Sequence, residues 1–145
     1  MSTRCAIAIS QEDGTIKAIY CHHDGYVAGV GTILAGWYNT PKQAEALLEL
    51  GDLSSLGTKL APEPEMEHNY NHTQEDVTVA YHRDRGERLE PTRIYRDIIN
   101  FKKHGMSDFG SDYLYLYADG KWSVYGLANK PEFIGINFII NKEGK

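Results

Sequence analysis

The sequence predicts an α+β fold, with a mainly antiparallel sheet of about five strands and two to three helices packed on it, in a single domain over 1–145. Three observations carry this expectation. Two stretches alternate large and small or polar residues on either side of a glycine turn, one around Gly14 and one around Asp119-Gly120. Between them, Thr40-Pro41 opens a run with helical spacing. Strands and helices then follow one another without a regular β-α-β rhythm, which points away from a doubly wound parallel sheet.

Taken in order, Cys5, Ile7 and Ile9 alternate with Ala6, Ala8 and Ser10, and Ile16, Ala18 and Tyr20 alternate beyond the Glu12-Asp13-Gly14 turn, predicting a hairpin. From Asp24 the period changes: Val27, Val30, Ile33, Leu34 and Trp37 line one side of a helix for which Asp24 is the expected N-cap. Gly25, Gly29, Gly31 and Gly36 weaken that helix, so a neighbouring strand or a ligand is expected to approach it closely. Thr40, Pro41 and Gln43 predict a capped helix with Ala44, Leu47 and Leu48 as its apolar stripe and Gly51 at its end.

Asp52 to Gly57 reads as a compact turn whose leucines dock on the core, and 58–76 as a long acidic surface loop. Val77, Val79 and Tyr81 predict a strand closed by His82-Arg83-Asp84-Arg85-Gly86-Glu87. Pro91 is expected to open a helix with Ile94, Ile98 and Phe101 on one stripe, ended by Gly105 and followed by a loop over Met106 to Gly110. The Tyr113–Tyr125 hairpin follows. Ile134, Ile136, Phe138 and Ile140 alternate over the tail, 133–145, as a final strand of this sheet or an edge that pairs copies into a homo-oligomer.

A net charge of −5 argues against broad nucleic-acid binding, which needs clustered lysine and arginine to displace counterions. No apolar run approaches membrane-spanning length and no signal peptide opens the chain, so no membrane partner and a cytoplasmic location are expected. Cys5 and Cys21 lack metal-ligand spacing and read as reduced, packed thiols.

The chemistry-bearing residues gather in two stretches. His22, Asp24, Gly25 and Tyr26 stand at a strand-to-helix junction, and His82, Arg83, Asp84 and Arg85 close a later strand. Adjacent His22 and His23 are expected on opposite faces of a strand, which argues against joint chelation, and no metal or cofactor is expected. Arg83 and Arg85 offer guanidinium forks suited to phosphate or carboxylate, and a helix start offers amides to the same anion. Arg83–Asp84 and Arg85–Glu87 ion pairs within the protein carry equal weight. The alternatives are a small hydrolase or transferase using His22, Asp24 and His82, or a self-associating structural protein.

The segments Tyr20 to Tyr26, Leu50 to Gly57 and Tyr81 to Glu87 resemble a family of small uncharacterised proteins common in bacteriophages, prophages and mobile elements, and the likeness runs from Ile7 to Trp122. This resemblance implies a role by binding, in counter-defence or host takeover, with a host protein or an anionic small molecule such as a nucleotide as target. It implies no catalytic residues.

Overall fold

The computed structural model describes residues 3–127 and 130–136. The chain begins with β1 (Cys5–Ser10) and β2 (Ile16–Cys21), then a π-helical turn (Val27–Gly31) running into α1 (Thr32–Trp37), and α2 (Pro41–Glu49). It continues with β3 (Leu53–Ser55), β4 (Val79–Ala80), α3 (Tyr81–Arg85), β5 (Arg93–Tyr95) and α4 (Ile98–Phe109), and closes with β6 (Tyr113–Ala118), β7 (Lys121–Tyr125) and β8 (Ile134–Gly135). The fold is α+β, with one mixed sheet in the order β4-β3-β2-β1-β6-β7-β8 and β5 paired separately to β2. β1–β6 and β2–β3 are parallel; the other pairings are antiparallel.

Both expected hairpins form. Asp119 and Gly120, at φ 52° and 75°, make the tight turn of the second. The sheet has eight strands among the described residues rather than about five, because β3, β4, β5 and β8 hold only two or three residues each and are too short to show alternation. Ile134–Gly135 pairs with β7, which places the described part of the tail on this sheet; Phe138 and Ile140 lie outside the described residues.

Successive side chains of a strand point to opposite faces, and here both faces are covered. Cys5, Ile7 and Ile9 join Leu34, Leu47 and Leu48 in one core cluster beneath α1 and α2. Ala6, Ala8 and Ala18 join Phe101 and Leu114 in a second beneath α4. The alanines let α4 lie close, and its own Gly105 matches them. A Cβ at Gly105 would sit 3.0 Å from both methyls of Leu114. Gly105 therefore packs inside the helix instead of ending it, and Gly110, at φ 59°, does that instead.

Several further expectations are corrected. Asp24 is not an N-cap: it holds φ 57°, and its carbonyl, not its carboxylate, accepts from Val30 N–H at 2.9 Å. Leu53–Ser55 is a strand, because its edge pairs with both β2 and β4. Tyr81 to Arg85 is a single helical turn ended by Gly86 at φ 77°, not the end of a strand. Proline 91 opens no helix. Arg93–Tyr95 pairs along the edge of β2, and α4 starts at Ile98 after its N-cap Asp97, whose carboxylate accepts from Asn100 N–H at 2.8 Å. By contrast, Thr40 caps α2 as expected, accepting from Gln43 N–H at 3.2 Å, with Ala44, Leu47 and Leu48 fully buried.

Candidate functional site

Across one edge of the sheet, Cys21, Leu53 and Ala80 stand in a row, so β2, β3 and β4 bring the segments Tyr20 to Tyr26, Leu50 to Gly57 and Tyr81 to Glu87 side by side. Asp52 is the hub of this junction. The outer edge of β2 is covered by β5 at one end and β3 at the other, which leaves Tyr20 N–H between them without a strand partner. Asp52 Oδ1 accepts from it at 3.0 Å, while Asp52 carbonyl accepts from Tyr81 N–H at 3.2 Å. A half-buried donor is thereby satisfied by a side chain where no strand reaches.

Asp52 also faces open space. A cleft of about 570 Å³ is lined by Ala18, Tyr20, Asp52, Glu90, Arg93, Asp108 and Phe109, among others. A second, of about 300 Å³, shares Asp52 and Glu90 and adds Tyr81, His82, Glu87 and Arg88. In the larger cleft three carboxylates face one arginine. Burial lifts the Asp52 carboxyl above its ordinary value; Glu90 adds to the rise, and the Tyr20 hydrogen bond and Arg93 oppose it. Asp108 accepts from Tyr95 hydroxyl at 2.9 Å, and burial, reinforced by that carboxylate, raises the Tyr95 phenol. The Arg93 guanidinium stands over the Phe109 ring, 5.1 Å from its centroid.

The expected site residues fall into two groups with β3 between them. In the first, Tyr20 hydroxyl and His22 Nδ1 share a 2.6 Å hydrogen bond, and the His22 and His23 rings meet edge-on with centroids 4.6 Å apart. The adjacent histidines thus touch instead of diverging, because the strand ends at Cys21 and the backbone turns through the αL residue Asp24. Burial, followed by His23 and Arg4, lowers the His22 imidazole below its usual range. Tyr26 hydroxyl reaches Asp24 Oδ1 at 3.4 Å. A Cβ at Gly25 would meet Cys5 Cβ and Thr3 carbonyl at 2.9 Å, so the close neighbour its glycine admits is the start of β1.

In the second group the arginines are engaged within the protein. Arg83 donates to Asp84 through Nε at 2.9 Å, and its two terminal nitrogens reach Leu60 and Thr78 carbonyls at 2.7 and 2.6 Å. Asp84 also accepts from Ala80 N–H at 2.8 Å and has His68 Nε2 3.3 Å from Oδ2. Burial works to raise the Asp84 carboxyl, yet the Arg83 and Ala80 bonds win and hold it below its ordinary value. Arg85 pairs with Glu87 at 3.0 Å and lies over the Tyr70 ring at 4.5 Å. His82 Nδ1 is 2.7 Å from Glu87 carbonyl; a carbonyl only accepts, so Nδ1 carries the proton of that bond.

Asp52, Glu90, Arg93 and Asp108 are absent from the sequence-based site. Asp52 reads there as a turn residue and Pro91 as a helix start, and Glu90 carries no reading of its own. Among the described residues, no three His, Cys, Asp or Glu side chains come together as metal ligands, and no helix is long and apolar enough to cross a membrane. No family model, curated protein or solved structure matches this chain.

Proposed function

We propose that this protein acts by binding, and that its contact site is the Asp52–Glu90 cleft, which receives a cationic group of a protein target. One observation carries the reading. Arg83 and Arg85, the cations suited to an anion, are tied to Asp84, Glu87 and main-chain carbonyls, while the open cleft presents Asp52, Glu90 and Asp108 against Arg93. A lysine or arginine of a partner meets complementary charge there, which gives specificity and speeds encounter. Leu89, exposed on the smaller cleft, supplies apolar contact for such an interface.

The likeness to proteins of bacteriophages and mobile elements supports a host protein as that target, in counter-defence or host takeover. A nucleotide target is the weaker branch, because an anion there meets engaged guanidinium groups. The test is affinity capture from host extract with wild-type bait and with Glu90→Lys bait, alongside calorimetry against nucleotides. The reading expects a salt-sensitive protein partner captured by wild type and lost with Glu90→Lys, and no heat with nucleotides. Nucleotide binding abolished by Arg83→Ala or Arg85→Ala in a folded protein contradicts it.

A further inference from the structure

We propose that Cys5 and Cys21 form a modification site, a cross-strand disulfide closed by a small-molecule disulfide such as oxidised glutathione. The two residues are direct partners in the β1–β2 register. Both are free, fully buried thiols on the same face of the sheet, in the cluster under α1 and α2. Directly opposed residues of an antiparallel pair have Cα atoms about 4.5–5.5 Å apart, inside the range of about 4.4–6.8 Å that a disulfide spans. The Cys21 thiol donates to His23 carbonyl at 3.7 Å, and burial, followed by the neighbouring Cys21 thiol, holds Cys5 well above its ordinary value.

The chemistry balances as thiol–disulfide exchange. One cysteine loses its proton and attacks a glutathione sulfur; the glutathione S–S bond breaks, and the first glutathione leaves and is protonated. The second cysteine then loses its proton and attacks the protein sulfur of the mixed disulfide. The Cys5–Cys21 bond forms and the second glutathione leaves. Two protein sulfurs are oxidised and one glutathione disulfide is reduced. Because neither side chain is exposed and Cys5 keeps its proton when folded, exchange proceeds through opening of the strand pair. The bond would fasten β1 to the end of β2, the strand whose Tyr20 holds Asp52, and so harden the frame of the cleft under oxidising conditions.

The experiment refolds the full chain from denaturant with oxidised or reduced glutathione and reads intact mass, peptide mapping and thermal midpoint. The expected result is a monomer two hydrogens lighter, cross-linked Cys5 to Cys21, with a higher midpoint than the reduced form. The folded reduced protein should react more slowly than the refolding one. Cys5→Ser should trap glutathione on Cys21, and Cys5→Ala serves the same purpose should the serine fail to fold. A wild-type product that keeps two glutathiones, links between chains, or melts lower than the reduced form overturns the proposal.

Discussion

At the scale of residues, Asp52 and Asp84 show how one functional group takes opposite roles. Asp84 is held ionised by Arg83 and a backbone amide, so its folded-state value lies below the unfolded one. It adds stability that is present above the unfolded value and is lost as pH falls through the folded value. Arg83→Ala removes the cation from a carboxylate whose side chain is 3% exposed, and an expected loss of about 3 kcal/mol follows in denaturant titration. Arg85→Ala, which breaks a solvent-exposed pair, should cost no more than about 1 kcal/mol. Asp52 has the reverse sign. Its folded-state value is raised, so its ionisation costs stability at neutral pH, and that cost disappears as pH falls below the unfolded value. Asp52→Asn keeps an oxygen for Tyr20 N–H while removing the charge. Its melting temperature should exceed wild type at pH 7 and converge with it in acid, while target binding weakens at least about tenfold. A variant no more stable at pH 7 than wild type contradicts the assignment.

At the scale of elements, strands long enough to alternate and helices with side-chain caps are legible in the sequence. The Gly14 and Asp119-Gly120 hairpins and the Thr40-capped helix need only local chemistry, and all three stand where their residues put them. The misplaced elements are those whose partner decides the outcome. Arg93–Tyr95 is a strand because β2 offers an edge to it, and Leu53–Ser55 because β2 and β4 flank it. Lys102-Lys103-His104-Gly105 carries every local mark of a helix end, yet the glycine is there for Leu114 on the sheet below. Gly105→Ala is therefore expected to destabilise by about 1–3 kcal/mol in spite of alanine's better helix propensity, as chemical denaturation would show. The candidate site was half visible for the same reason. His82 lines the smaller cleft, whereas Glu90, Arg93 and Asp108 enter only through the pairing of β5 and the packing of α4.

At the scale of the whole molecule, a central sheet covered by helices on both faces leaves its chemistry at the edge where β2, β3, β4 and β5 fail to close on one another. Asp52 fills that gap on the inside and lines it on the outside. At the other edge, β8 adds to β7, Ile136 is fully buried, and Phe133 stacks on Phe101 with ring centroids 6.2 Å apart. Removing 133–145 should therefore lower the melting temperature of the chain; an unchanged melting temperature would show that this segment is not part of the core. The central claim is that the open cleft selects positive charge. Its most direct measurement is a two-dimensional amide NMR titration of the labelled protein with a short lysine- and arginine-containing peptide and, separately, with ATP. The account predicts saturable shifts from the peptide at Ala18, Tyr20, Asp52, Glu90, Arg93, Asp108 and Phe109, absent in Asp52→Asn, and none from ATP. Saturable ATP shifts centred on His22 to Tyr26 or His82 to Arg85, with the cleft residues silent toward the peptide, would contradict it.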